Sequence, residues 1–161
     1  MKLLLISGVE CYNRLLDWIN SQTRDFNYII GLGDVECPQY INNFYGIIGE
    51  IESVFVFKWL KNNGRLLYRL NNISTDFSTE IVVTHYPPSN LGKVLRFDIG
   101  SNEVYKKMIL YKPKILIHGH SENVGISEVE GTQVISIGLL RDGNYAVYEN
   151  GKIFFKHVRI Y

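Results

Sequence analysis

The chain has 161 residues, enough for one domain with a buried core, and we expect a single domain over 1–161. Hydrophobic residues make up 46% and charged residues 20%, a balance typical of soluble globular proteins. The formal net charge of +1 gives no basic excess, so the charge does not indicate a nucleic-acid partner. Apolar runs stay far below the roughly 18 residues of a membrane span, so no membrane partner is expected. The N-terminal residues lack a signal-peptide pattern, which favours the cytoplasm, and the sequence leaves the oligomeric state open.

Short apolar runs alternate with helical patterns in the first half of the chain, as in a parallel sheet covered by helices. Strands are predicted at 2–7, 28–32 and 46–49, and a helix carries the apolar spacing at 14–19. A second, aromatic-rich helix is predicted at 51–62. Four helical aromatic residues are interpreted as packing between helix and sheet: Trp18, Phe55, Phe57 and Trp59.

The middle of the chain contains further strands and one well-marked helix. Strands are predicted at 66–70 and 81–84, separated by a turn-like Asn-Asn-Ile-Ser at 71–74. The stretch from 87 to 100 is interpreted as a loop. Ser101 then caps a helix that extends to about residue 111.

After a strand at 114–117 the pattern changes to hairpins. Four further strands are joined by turn signals such as Asp-Gly and Asn-Gly, at 124–129, 133–137, 145–148 and 153–158. Together the elements predict an α/β fold, a two-sheet β-sandwich flanked by helices.

Short polar motifs directly follow four of the predicted strands. They are Gly33-Asp34, Gly49-Glu50, Thr84-His85-Tyr86-Pro87-Pro88 and Gly119-His120-Ser121-Glu122. This placement gathers their side chains at one end of the sheets. Two imidazoles and two carboxylates form a suitable ligand set for a divalent transition metal.

The order of these motifs resembles that of calcineurin-like metallophosphoesterases over nearly the whole chain, and Pro87-Pro88 resembles their small archaeal and bacterial branch. The resemblance implies a four-layer α-β-β-α fold and hydrolysis of phosphodiester or phosphomonoester bonds by a metal-bound hydroxide. It assigns Asp34, His85 and His120 as catalytic and metal-binding residues and Glu50 as a further metal ligand. It also implies a phosphate-ester substrate and a divalent cofactor (Mn, Zn, Fe or Ni), with a second ion left open and no organic cofactor.

The first metal site of the family is altered in this chain. Its ligands map to Gly8, Glu10, Asp34 and Glu122, so one Asp is missing and Glu replaces His twice. We expect Glu10 and Glu122 to form a weaker, oxygen-rich site, although a one-residue deletion would instead align Glu122 with a Glu that often follows the second His. Glu50 replaces a neutral Asn of the family, and its charge should disfavour phosphate dianions.

The loss of these ligands supports an alternative function. The chain would then be a non-catalytic binding or scaffold protein that kept the fold, as the retromer subunit of this fold is thought to have done. Retention of Asp34, His85 and His120 favours the enzyme, because unpaired buried ligands are costly to keep.

The two cysteines follow neighbouring strands in matching Val-Glu-Cys segments. Cys11 and Cys37 therefore have three interpretations: a disulfide, a pair of soft-metal ligands, or two small, partly buried thiols. Among the remaining polar residues, Glu36 and Glu52 are expected to point to solvent. His118 is left outside the ligand set, since it is expected either in the core or to coordinate only through its backbone. His157 is expected to have a structural role.

Four residues are expected near the proposed pocket without being ligands. Tyr86 and Phe97 would flank it and stack on a base or a phenyl leaving group, or anchor the loop. Lys93 and Arg96, in the loop after Pro88, would approach the phosphate.

Overall fold

The computed structural model describes residues 1–91, 93–94 and 97–160, with only the backbone described at 93–94 and 97–98. Within this part of the chain, 13 strands and three α-helices follow one another. Eleven strands form two sheets, which confirms the predicted α/β sandwich.

The first sheet is built around the N-terminal strand. Its strand order is β13-β12-β1-β2-β3, in which β1, β2 and β3 are parallel and β12 runs antiparallel to β1. Its strands are β1 (Lys2–Ile6), β2 (Tyr28–Leu32), β3 (Phe44–Ile47), β12 (Asn144–Glu149) and β13 (Lys152–His157).

The second sheet has the order β10-β11-β9-β6-β5-β4, with β11, β9, β6 and β5 parallel. Its strands are β4 (Arg69–Leu70), β5 (Ile73–Ser74), β6 (Ile81–Thr84), β9 (Ile115–His118), β10 (Val124–Val129) and β11 (Thr132–Ile137). A separate short hairpin pairs β7 (Lys93–Val94) with β8 (Phe97–Asp98).

Three helices cover the outer faces: α1 (Asn13–Gln22), α2 (Val54–Asn62) and α3 (Asn102–Tyr111). Short 3-10 helices occur at Pro38–Tyr40 and Leu140–Asp142. The Ser101 hydroxyl accepts the Val104 N–H at 3.2 Å, which confirms the predicted cap of α3. In the described part of the chain, none of the helices has the length and apolar character needed to cross a membrane.

Three apolar layers hold the sandwich together. Leu5, Ile30 and Val83 belong to the layer between the sheets, where both sheets contribute side chains. Residues of α1 and α2 form the second layer with the first sheet, and Met108 of α3 belongs to the third, on the second sheet. Leu3, Leu4, Leu5 and Ile6 are all almost fully buried, because both faces of β1 are covered.

Several local predictions were wrong. Phe55 is 78% exposed, because it lies in the first turn of α2, whose buried positions are Val56 and Leu60. Ile73 and Ser74 form a strand rather than a turn, since they pair in parallel with β6.

The other differences are shifts of boundary. The third strand begins two residues earlier than predicted, at Phe44, and the second helix begins three residues later, at Val54. Of the predicted strand at 66–70, only Arg69–Leu70 forms a ladder, while Leu66 makes an isolated bridge to Gly46. The predicted loop at 87–100 includes the hairpin of β7 and β8.

Candidate metal centre

The motif residues of both sheets lie at the same end of the molecule. Asp34 lies two residues beyond β2, His85 one residue beyond β6 and His120 two residues beyond β9. Parallel pairing places Thr84 opposite His118, so the β6 and β9 loops leave the second sheet side by side. A hydrogen bond from His85 Nδ1 to the Leu32 carbonyl, at 2.8 Å, joins them to the first sheet.

The three side chains form a compact group. One ligand atom from each of Asp34, His85 and His120 lies within 4.8 Å of the others. Asp34 Oδ2 is 3.4 Å from His85 Nε2 and 3.9 Å from His120 Nδ1. The other oxygen, Oδ1, accepts the backbone N–H groups of Glu50 at 2.7 Å and Ile51 at 3.3 Å. One carboxylate oxygen is therefore held by backbone, and the other faces both imidazoles.

The tautomer of His85 makes this group suited to a cation. The Leu32 carbonyl can only accept, so Nδ1 carries the proton and Nε2 presents its lone pair. Nε2 is buried without a hydrogen-bond partner among the described residues, although Asp34 Oδ2 is only 3.4 Å away. With Nδ1 as the donor, Nε2 and Asp34 Oδ2 are two acceptors that face each other, so this contact is not a hydrogen bond. A cation between the buried Nε2 and the carboxylate oxygen would stabilise both.

Two glycines allow this close approach. A Cβ on Gly33 would collide with the His85 ring, and one on Gly49 would collide with the Asp34 carboxylate. Asp34 and His120 themselves adopt left-handed backbone angles, with φ of 56° and 65°. Non-glycine residues rarely adopt this region, so the surrounding contacts must stabilise it.

Glu50 lies beside the group but outside the compact set. Its side chain is exposed, and Oε1 accepts a hydrogen bond from the Tyr86 hydroxyl at 2.9 Å. The Tyr86 ring packs against the rings of His85 and His120, with centroids 4.8 and 4.9 Å away. Tyr86 therefore flanks the site as expected and links Glu50 to both histidines.

Burial favours the neutral form of two histidines near the site, His120 and His118. Burial, followed by the neighbouring His85, lowers the pKa of His120, while Glu50 and Asp34 act in the opposite direction. Burial lowers the pKa of His118 to about 4, and its Nδ1 donates to the Gly119 carbonyl at 2.8 Å. His118 is thus a neutral core residue, as expected. Burial and the bond to Glu50 raise the pKa of Tyr86.

Glu10 and Glu122 are exposed, and the group of potential ligands found among the described residues does not include them. Their role in a second metal site stays a prediction. The side chains of Lys93 and Phe97, and the whole of Arg96, lie outside the described residues. His157 Nε2 hydrogen-bonds the Asp142 carbonyl at 3.1 Å, in keeping with a structural role.

The structure corrects one sequence prediction near the site and decides another that was left open. Glu52 does not point to solvent, because its oxygens accept the N–H groups of Val35 and Gly49 at 3.0 and 2.7 Å. Cys11 and Cys37 form a disulfide with a Cα–Cα distance of 5.3 Å. The disulfide is one of the three interpretations that the repeated Val-Glu-Cys segments allowed, whereas apolar periodicity carries no signal for the contacts of Glu52.

A cavity of about 470 Å³ opens beside the group, lined by Glu50, Tyr86, Ile99, Gly100, Ser101 and His120. Since Ser101 caps α3, the N-terminus of that helix forms part of the wall. A larger groove, of about 590 Å³, lies at the opposite ends of β6 and β9 and is lined by residues such as Arg69 and Tyr111. Its lining has no His or Cys, so the smaller cavity is the candidate active site.

Neither a protein-family model nor a curated protein matches the sequence. Solved structures do match the fold. An archaeal phosphodiesterase superposes with a TM-score of 0.66 and 14% identity, covering 98% of this chain and 100% of that one. The chain has the calcineurin-like metallophosphoesterase fold.

Two further structures support this likeness. A predicted phosphoesterase of Streptococcus pneumoniae gives a TM-score of 0.57 at 12% identity, covering 97% of this chain and 88% of that one. Vps29 from Entamoeba histolytica, in complex with Zn²⁺, gives a TM-score of 0.55 at 14% identity and full coverage of both chains. At such identities the likeness is one of fold.

Proposed function

We propose that residues 1–161 form one divalent-metal-dependent phosphoesterase domain, in which Asp34, His85 and His120 hold the metal and Glu50 completes the ligand set. The buried His85 Nε2 supports this most directly, because it has no hydrogen-bond partner among the described residues and faces Asp34 Oδ2 at 3.4 Å, where a cation would stabilise both atoms. The likeness to an archaeal phosphodiesterase and to Zn²⁺-bound Vps29 agrees with this proposal.

A divalent ion at this centre would supply Lewis acidity, both to activate water and to polarise the phosphoryl group. The chain's own residues prepare the centre for it. Asp34 keeps one oxygen free for the ion by giving the other to backbone N–H groups. The lowered pKa of His120 keeps its imidazole neutral and able to bind a cation at pH 7.

The charge of the cavity favours phosphodiesters over monoesters. Glu50, on the cavity wall, adds a negative charge that repels a monoester dianion more than a singly charged diester. Tyr86 lies on the same wall and offers an aromatic face for a base or a phenyl group. The substrate proposed is accordingly a phosphodiester with a planar substituent.

The test combines elemental analysis of the purified protein with assays on bis(p-nitrophenyl) phosphate and p-nitrophenyl phosphate, in Mn, Zn, Ni and Mg. We expect weak, metal-dependent hydrolysis that is relatively faster on the diester. His85→Ala should abolish both the bound metal and the turnover. A protein that contains no metal after exposure to all four ions would refute the proposal.

Glu10 and Glu122 are proposed to add a second site of lower affinity, which favours Mn or Mg over Zn because its ligands are oxygens. Titration with Mn should then reveal one strong and one weak site. A Glu10→Gln/Glu122→Gln variant should keep the strong site alone. A single site in wild type would contradict this part of the proposal.

A non-catalytic binding protein is the second candidate. Four apolar residues that flank Glu50 in sequence are exposed by 40 to 78%: Ile48, Ile51, Val54 and Phe55. Contiguous exposed apolar patches are typical of interaction surfaces, and these four residues are proposed to form one. Restoring the family pattern with Gly8→Asp, Glu10→His, Glu50→Asn and Glu122→His discriminates the two. Turnover in this variant but not in wild type, at equal metal occupancy, would favour the binding protein.

The expected cytoplasmic location remains a proposal, and the disulfide bears on it. Disulfides persist in oxidising compartments and in the cytosol of hyperthermophiles, but they are rare in other cytosols. Rapid alkylation of intact cells, followed by mass spectrometry of the protein, measures whether Cys11 and Cys37 were free, and so alkylated, or paired there. Free thiols would support an ordinary reducing cytoplasm.

A further inference from the structure

Glu52 bridges the two loops that meet at the candidate metal centre. It lies between β3 and α2 and is half-buried. Oε1 accepts the N–H of Val35, the residue after Asp34, and Oε2 accepts the N–H of Gly49, the residue before Glu50. One carboxylate thus connects the loop after β2 to the loop after β3.

The relative position of these loops determines where the Asp34 carboxylate points. Asp34 belongs to the first loop, but the N–H groups that hold its Oδ1 belong to Glu50 and Ile51, in the second. If the loops separate, these bonds lengthen and Oδ2 loses its direction toward the two imidazoles. The left-handed backbone of Asp34, at φ 56°, also needs neighbouring contacts to persist.

We propose that Glu52 is the positioning residue of the metal centre, which fixes the direction of Asp34 and so sets the affinity for a divalent ion without touching it. Both Glu52 oxygens already accept backbone N–H groups, which distinguishes Glu52 from a ligand. The inference rests on the proposed function, since it assigns to the same centre a residue that the ligand set does not contain. Residues that orient ligands in this way typically change metal affinity about 10- to 100-fold when they are removed.

Glu36 provides a matched control. Its Oε2 accepts the Cys11 N–H at 2.7 Å, a bond of the same kind and length. That bond connects the loops after β1 and β2, and its partners are not the N–H groups that orient Asp34. Glu36→Ala therefore removes one carboxylate-to-backbone bridge and leaves the orientation of Asp34 intact.

The experiment measures Zn²⁺ and Mn²⁺ binding by calorimetry in full-length wild type and in Glu52→Ala, Glu52→Gln and Glu36→Ala. Thermal unfolding of the metal-free proteins is recorded in parallel. We expect Glu52→Ala to weaken binding at least about 10-fold. Glu52→Gln should lie between it and wild type, because Gln keeps one acceptor oxygen. Glu36→Ala should lose stability without losing affinity.

The outcomes separate this inference from the proposed function. If wild type binds the ions and both Glu52 variants bind them as tightly as wild type, Glu52 is not a positioning residue, but the proposed metal centre is supported. If wild type binds neither ion, the metal centre and its positioning residue are both refuted. Should Glu52→Ala fail to fold, Glu52→Gln decides, and wild-type affinity in that variant overturns the proposal.

Discussion

Replacing Cys11 and Cys37 together by serine opens a covalent link between residues 26 positions apart. Closing a loop of that length in the unfolded chain corresponds to roughly 3.5 kcal/mol at 25 °C, if the stabilisation is entropic. We therefore expect the double variant to lose roughly 3.5 kcal/mol of unfolding free energy, a large fraction of the 5 to 15 kcal/mol typical of domains.

The metal centre should survive this change. The Val9 N–H donates to the Asp34 carbonyl at 2.8 Å, and the Glu36 N–H donates to the Val9 carbonyl at 3.0 Å. These bonds hold the two loops without the sulfurs. Zinc affinity at 25 °C should thus match wild type, because Asp34 keeps its backbone partners.

Urea unfolding followed by circular dichroism measures the loss, and calorimetry measures the affinity. Oxidised wild type is compared with the double variant and with wild type in reductant, which should resemble the variant. A loss below about 1 kcal/mol would refute the loop-entropy reasoning. A large loss of zinc affinity in a folded variant would refute the claim that hydrogen bonds suffice to hold the loops.

Three further predictions concern the site. Gly33→Ala should reduce metal affinity, because the added methyl meets the His85 ring. The same change should lower the stability by about 1–3 kcal/mol. Gly131→Ala is the control, since this glycine has a similar positive φ but lies in open space, and it should change stability alone. The folded-state pKa of His118, about 4, lies below its unfolded value of 6.5, so metal-free protein should lose up to about 3 kcal/mol as pH falls between these values. His118→Gln should flatten that dependence in unfolding titrations, and an unchanged slope would contradict it. His120→Ala should contain less bound metal than wild type, as measured by elemental analysis, with His157→Ala as the control. A metal content equal to that of wild type would exclude His120 as a ligand.

Strands buried on both faces were predictable, because they appear as continuous aliphatic runs. Lys2–Ile6 and Tyr28–Leu32 were located within one residue for this reason. Phe55 was misplaced because its apolar character suggested burial, although the first turn of α2 directs it to solvent. The strand Ile73–Ser74 is too short for any periodicity and forms because β4 and β6 offer partners on its two sides.

The part of the candidate site that was predictable consists of metal-ligating residue types placed directly after strands. Asp34, His85 and His120 are of this kind. Contacts between loops were not predictable from the sequence. The bridge from Glu52 to Val35 and Gly49 depends on how two loops approach in space, which sequence spacing does not encode. The disulfide was open for the same reason, since matching segments on neighbouring strands allow pairing without requiring it.

The position of β1 has a consequence for biosynthesis. This strand lies inside the first sheet, where Lys2 pairs with Glu149 and Leu5 with Ala146. During translation β1 therefore keeps one edge unpaired until β12, which follows it much later in the sequence, has left the ribosome. A nascent chain that stalls before the last hairpin presents a Leu-rich edge to other chains, and such an edge favours aggregation.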